Sequence, residues 1–235
     1  MKPASIKKIL ILVTILAVPG FLYYLLQDQG KNRYKPLPFF GPKKYGHSFH
    51  EVRGKTIADT IYHEAKGLDF INQAGKSVNW NDYKGKIVVF SVFYTQPPSE
   101  AVKLTNKAMQ AFNAWYLNNE MVRFVSMSID PVYDRPEVLS KYADSLSAKP
   151  GKWDLVTGDS TKLFSFINDQ LFMDAHQAFG RGRKNFLLSD YFVLVDPQHR
   201  IRGYYRSNRQ EDLSKLDDEI KVLIAEVLRN IEDGR

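Results

Sequence analysis

The chain has 235 residues, 44% of them hydrophobic and 25% charged, which excludes a disordered polymer and leaves ample length for one medium domain with a real core. Its net charge of +7 is unevenly placed: residues 1–55 hold ten Lys/Arg against two Asp/Glu, and the remainder 23 against 24, so the domain has no basic excess to offer a nucleic acid. There is no cysteine, which excludes disulfide stapling, thiol catalysis and a lipid-modified cysteine, and removes the commonest ligand of soft metals.

The first element is apolar. Ile9 to Leu26 (ILILVTILAVPGFLYYLL) is 18 residues without a charge, preceded by Lys2, Lys7 and Lys8. A bilayer core of about 30 Å takes roughly 17–25 such residues as a helix. Leading lysines place the N-terminus in the cytoplasm. A cleaved leader is the rival, but its apolar region usually runs to roughly 7–15 residues, and QDQG after Leu26 offers no small-x-small site. The reading is an uncleaved anchor over 1–26, kinked at Pro19–Gly20, with Tyr23 and Tyr24 at the lipid interface and the rest of the chain extracytoplasmic. Residues 27–66 read as a basic tether, with Lys31, Arg33, Lys35, Lys43 and Lys44 near lipid head groups. Within it, PLPFFGPKK is expected to pack its Phe-Phe pair against something.

Composition settles from about Thr56, and the folded domain is expected over 67–235. Leu68 to Asn72 and Ser77 to Trp80 form short strands around Gln73-Ala74-Gly75-Lys76. Ile87 to Tyr94 (IVVFSVFY) is a near-continuous apolar run, as in a central strand covered on both faces. Ser99 to Leu117 is a helix capped by Ser99, with a stripe through Val102, Ala108, Met109, Phe112 and Leu117. Val122 to Ile129 is a second buried strand. Arg135 to Leu146 is a helix with Pro136 in its first turn. Leu155-Val156 is a short strand, and Ser160 to Asn168 a helix. Tyr191 to Val195 and Ile201 to Tyr205 are strands joined by Asp196-Pro197-Gln198-His199. Asp212 to Ile231 is an amphipathic helix through Leu213, Leu216, Ile220, Leu223, Ile224 and Val227. The order is βαβ, then helical and crossing material, then ββα. That predicts an α/β, thioredoxin-like fold: a central mixed sheet, parallel at its first pair and closed by an antiparallel hairpin, flanked by helices. The turn after the first core strand, Thr95-Gln96-Pro97-Pro98, has no glycine, which argues against phosphate cradling.

Three stretches together resemble the Sco/SenC family of copper-handling, cytochrome oxidase assembly proteins. They are DFINQAGKSVNWNDYKGKIVVFSVFYT (69–95), SMSIDPVYDRPEVLSKYA (126–143) and FVLVDPQHRIRGYY (192–205), and the IDPxxD segment is the most specific. The resemblance spans roughly Leu68 to Asn230. It implies a copper site of two cysteines in Phe-x-Thr-x-Cys-Pro-x-x-Cys and one later histidine. Phe93, Thr95 and Pro98 fall in step with that pattern. The cysteine positions are occupied by Pro97 and Ala101, and the histidine position falls near Leu188 in LLSD, so this chain resembles a divergent member without the ligands.

A few other residues offer donor groups of their own. Met173 and His176, spaced i, i+3, could share a helical face and offer a relocated soft-metal site. His47 and His50 read as linker histidines and His199 as a solvated turn residue; His63 completes the set. Arg181, Arg183 and Lys184 read as an exposed basic loop, and Asp217-Asp218 as a solvated helix face. No Gly-x-Ser-x-Gly elbow is present. The expectation is therefore a membrane-anchored, non-enzymatic binding or assembly module with no cofactor, copper entering only by family analogy. Its expected partners are membrane lipid and respiratory oxidase subunits or assembly factors. The alternative is a working copper chaperone with a relocated Met/His site.

Overall fold

The computed structural model describes residues 3–29, 36–52, 55–180 and 183–232. Lys31, Arg33, Lys35 and Arg181 lie outside the described residues, as do the side chains of His47, His50, Arg183 and Lys184. The chain divides into two compact units, Met1–Lys35 and Pro36–Arg235.

The first unit is a single helix, α1 (Pro3–Gln29), which contains the whole apolar run and has Pro19 inside it. Its described apolar side chains, such as Leu16 and Phe21, are exposed. Among the described residues no helix is long and apolar enough to cross a membrane; the side chains of 9–10 and 25–26, the ends of the 18-residue run, are outside that set.

The second unit is built on a seven-stranded sheet. In chain order its strands are β3 (Asp69–Asn72), β4 (Ser77–Asn79), β5 (Ile87–Phe93), β6 (Val122–Ser128), β7 (Trp153–Thr157), β10 (Tyr191–Val195) and β11 (Ile201–Arg206). The sheet order is β11-β10-β5-β6-β7-β3-β4. β5, β6 and β7 run parallel, and hairpins close both edges antiparallel. Every residue of β5 and β7 is buried, as a parallel centre covered on both faces requires. The register is pinned inside the core: Ser91 and Ser126 share a hydrogen bond of 2.8 Å, and the Trp153 indole N–H donates to Ser126 Oγ at 2.9 Å.

Helices α2 (Glu100–Trp115) and α3 (Pro136–Leu146) pack against β5 and β7, and α5 (Gln210–Glu232) against β11 and β5. Ser99 caps α2 as expected, accepting from Val102 N, and Val102, Met109 and Phe112 are buried. The central mixed sheet with flanking helices is the expected thioredoxin-like plan.

Two hairpins were not foreseen. Residues 27–66 are not simply a tether, because β1 (Lys43–Val52) and β2 (Lys55–Tyr62) pair antiparallel within them. Residues 36–66 belong to the second unit, with Leu37 buried in its core. β8 (Ala175–Gly180) and β9 (Arg183–Leu188) form a second ribbon before the closing strands. The helix expected over Ser160 to Asn168 is shorter: α4 (Ser160–Ser165) widens into a π turn over Phe166–Gln170.

One side chain ties the unit together. Arg202 on β11 is fully buried. Its guanidinium donates to Asp196 Oδ2 at 3.1 Å, to both Glu226 oxygens at 3.0 Å, and to the Leu37 carbonyl at 2.8 Å. Its flat face lies 4.3 Å from the centre of the Phe39 ring. Arg200 flanks the same ring at 4.6 Å, and Tyr62 stacks on it at 4.1 Å. Phe40 meets Tyr204 edge-on at 5.5 Å. The Phe-Phe pair of the expected linker thus packs against the closing strand. The next residue, Gly203, is required by close approach, since a β-carbon there would stand 2.0 Å from the Tyr205 hydroxyl.

Removing one partner of a buried ion pair leaves the other charge uncompensated, at a cost of about 3 kcal/mol or more. Arg202→Met is expected to lower the urea midpoint of the domain sharply with an unchanged m-value. Arg200→Met should cost roughly 1 kcal/mol or less, because the Arg200 side chain is 26% exposed. Equal midpoints for the two variants would show that burial of Arg202 does not matter.

Candidate functional site

The site that the sequence singled out is the turn between β5 and α2. Tyr94 follows β5, is almost buried, and its hydroxyl accepts from Ser99 N at 3.2 Å, so the turn is spanned by its own first and last residues. Thr95 is held from outside. Its N–H donates to Asp134 Oδ2 at 3.2 Å, and its hydroxyl donates to Asp134 Oδ1. Ser128 Oγ, at the end of β6, donates to the same carboxylate. Asp134 itself is placed by a tight turn in which Tyr133 N and Asp134 N both donate to the Asp130 carbonyl, at 3.0 and 2.8 Å. Ser128 Oγ also accepts from Asp130 N at 3.1 Å. The IDPxxD segment is therefore a clamp, and its last aspartate grips the strand-to-helix turn.

Pro97 is exposed, Pro98 is partly buried just ahead of α2, and Ala101 is exposed on its first turn. Beside them opens a cleft of about 580 Å³ lined by Thr95, Gln96, Tyr133, Lys141 and Tyr142 among others. Tyr142 stacks on Phe93 at 5.7 Å and its hydroxyl accepts from Asn106 Nδ2 at 2.8 Å. The β8–β9 ribbon reaches this region through Phe186, whose ring lies 4.9 Å from that of Tyr94. Leu188, two residues further along β9, is partly buried against the core and opposite Ala175.

The Met173–His176 pairing does not survive, since the two residues share no helix. Met173 lies before β8 with its side chain 2% exposed in the core, whereas His176 is exposed on β8. His199 is not simply solvated either. It takes a left-handed backbone (φ 62°) and stacks on Trp80 at 3.9 Å. Burial lowers its pKa, against the opposing pull of Asp196 and Glu64. His63 Nε2 lies 2.9 Å from the Gln170 carbonyl. Asp217 departs from the expected solvated face, for the Tyr116 hydroxyl donates to its Oδ1 at 2.7 Å; Asp218 remains exposed. Among the described residues no group of three or more His, Cys, Asp or Glu could hold a metal ion.

Sequence reasoning missed the carboxylate clamp and the Arg202 centre. It also missed Asp154, a buried carboxylate that accepts from Asn72 Nδ2, the Tyr83 hydroxyl and Gly151 N at 2.8–3.0 Å. Pairing over 39 residues for Asp134 and 71 for Tyr83 leaves no local signature.

Asp134 is fully buried. Burial raises its pKa above the ordinary 3.8, and the neighbouring Asp130 adds to this; the Ser128 and Thr95 hydrogen bonds pull the other way without cancelling it. A carboxyl with a raised folded-state pKa binds its proton more tightly folded than unfolded. Stability from this group should therefore rise as pH falls through the native pKa toward 3.8, and level off below. Asp134→Asn removes that dependence. The stability of the natural chain minus that of the variant, measured by urea titration at stepped pH, is expected to grow on acidification; a shrinking difference would reverse the assignment.

Comparison with known proteins bears on the whole second unit. A family model described as SCO1/SenC matches residues 61–224. A SCO1 protein homolog of Bacillus subtilis (strain 168) is 29% identical over 171 residues, covering 72% of this chain and 86% of the relative. Among solved structures, a SCO1/SenC family lipoprotein from Bacillus anthracis str. Ames superposes with a TM-score of 0.60 at 22% identity, over 66% of this chain and 92% of the other. The copper-bound ScoI of Bradyrhizobium japonicum does so with a TM-score of 0.52 at 20% identity, over 64% and 96%. Where the resemblance puts the family's copper ligands, this chain has Pro97, Ala101 and Leu188. Their side chains are hydrocarbon, without a lone pair to donate, so this donor set does not fit copper.

Proposed function

Because the chain belongs to the SCO1/SenC family, a family linked to copper handling and cytochrome oxidase assembly, we propose that it is a non-catalytic binding or assembly module of that pathway, held at the membrane by α1 with its domain extracytoplasmic. One observation carries this reading. The Asp134 clamp on Thr95 keeps the strand-to-helix turn in place, while the three positions that would give the turn its chemistry hold Pro97, Ala101 and Leu188. A turn kept in shape without donors presents a surface rather than a reagent. The cleft beside it, with Tyr133, Glu137 and Lys141 at its rim, is the face we assign to a partner, with respiratory oxidase subunits or assembly factors as the candidates.

The anchor rests on the 18 uncharged residues inside α1 and the lysines ahead of them. Enzymatic activity is not part of the proposal, since the turn has no thiol, its Thr95 and Ser99 hydroxyls are engaged by Asp134 and the α2 cap, and the described histidines engage Gln170, Trp80 or solvent.

After cuprous loading, the full chain is expected to retain no stoichiometric copper. Pro97→Cys, Ala101→Cys and Leu188→His together restore two thiolates and an imidazole, a set that favours copper, and this triple variant is expected to gain one equivalent. Stoichiometric copper in the natural chain would overturn the proposal. A folded triple variant that stays empty would show that the ligand positions are misplaced.

The topology has its own check. A reporter active only in the cytoplasm, fused after Arg235, should be silent; strong activity would reverse the orientation.

A further inference from the structure

The β1–β2 hairpin carries two largely exposed aromatic rings, Tyr45 and Phe49. Its register sets Lys43 opposite Tyr62, Tyr45 opposite Thr60 and Phe49 opposite Ala58, so Lys43, Tyr45 and Phe49 share one face of the ribbon. The Tyr62 end of that face is covered, because Phe39 stacks there. Further along, Tyr45 is 85% exposed and Phe49 64%. Among the described residues no third strand pairs with the ribbon, and a lone two-stranded hairpin is marginally stable in water. A ribbon of this length with its rings in water is the kind of element that needs a surface.

Charge and covalent order say which surface. Residues 31–62 hold seven Lys/Arg and two Asp/Glu, whereas residues 63–235 hold 23 of each. Past the anchor, the basic excess therefore falls on the tether and this hairpin. Between α1 and the buried Leu37 lie residues 30–36, a covalent reach of no more than about 25 Å. Tyrosine and phenylalanine beside lysine suit the head-group layer, where one end of a ring is apolar and the other wet.

We propose that the Tyr45–Phe49 face of the β1–β2 hairpin seats on an anionic bilayer surface, with Lys43 on that face toward the head groups and Lys44, on the other face of the same strand, adding to the local positive charge. This rests on the membrane-anchor reading above. The anchor would then fix distance to the membrane, and the hairpin, joined to the body through Phe39 and Arg202, would fix how the domain stands on it.

The chain has no cysteine, so one introduced cysteine is a unique handle. Tyr45→Cys, Phe49→Cys and the reference Ala114→Cys, exposed on α2, are each labelled with an environment-sensitive fluorophore in the full chain. The proteins are reconstituted into vesicles of phosphatidylcholine alone or mixed with phosphatidylglycerol. Flotation with the vesicles reads the anchor, and the probe reads the hairpin. At positions 45 and 49 the emission is expected to shift to the blue and be quenched by doxyl-labelled lipid in the anionic vesicles, with Ala114→Cys unchanged. The effect should weaken at 1 M salt, where the screening length falls to about 3 Å, and in the double variant Lys43→Glu, Lys44→Glu. If the chain floats but the probes at 45 and 49 behave like the reference, the hairpin proposal falls and the anchor stands. If the chain does not float, the anchor reading falls and takes the proposal with it. A blue shift without lipid quenching means that protein covers the face, which also overturns the proposal, as does an equal response in neutral vesicles.

Discussion

The second unit depends on where one guanidinium is buried. Arg202 has no exposed surface, so its charge must be answered inside the protein, and the answer comes from three separate elements: Asp196 in the closing turn, Glu226 on α5 and the Leu37 carbonyl ahead of β1. Such a centre is weak evidence for net stability, since desolvating the charges offsets much of their attraction. What it supplies is restriction: the arginine fits only if β11, α5 and the N-terminal segment arrive together. Phe39, held between the two arginine planes and the Tyr62 ring, extends that restriction to the hairpin.

The clamp on the strand-to-helix turn follows the same logic on a smaller scale. Asp134 is buried and binds a backbone N–H and two hydroxyls, so the position of Thr95 is set by β6 and the turn after it rather than by anything a metal would supply. That explains how the turn can hold its path with two prolines and an alanine in it. Pro98 sits immediately before Ser99, the N-cap of α2, and so lies outside the helix it precedes. Pro97 is exposed and narrows the turn's conformations by fixing its own φ. Shape and chemistry are carried by different residues here, and this chain has kept only the first set.

How much of this was legible follows from the range of the interactions. β5 and β10 announce themselves as near-continuous apolar runs, β6 as an apolar-rich stretch, and α2 and α5 as stripes at the helical period. The turn was legible through Phe93, Thr95, Pro98 and the IDPxxD segment. The two ribbons β1–β2 and β8–β9 were not, since their glycines, lysines and histidines read as loop and their order comes from Phe39 and Phe186 reaching other elements. Nothing in IRGYYR marks Arg202 as buried, because its partner Glu226 stands 24 residues away on α5. The idea of a Met173–His176 pair failed for a related reason: a spacing of three means one face only on a helix, and the chain there is entering a strand.

The Leu37–Arg202 hydrogen bond spans 165 residues of sequence, and this has a consequence for the order of folding. Contacts at such separation close the largest loops, so they form late and slow the reaction. The central parallel strands can assemble from nearer neighbours, but the N-terminal segment has no arginine to dock on until β11 exists, and that arginine has no second carboxylate until α5 does. While the chain is being made, Leu37, Phe39 and the hairpin after them are therefore the earliest part of the domain to emerge and among the last to be locked. The domain is finished from its two ends at once, and a chain cut short before Glu226 would leave both ends open.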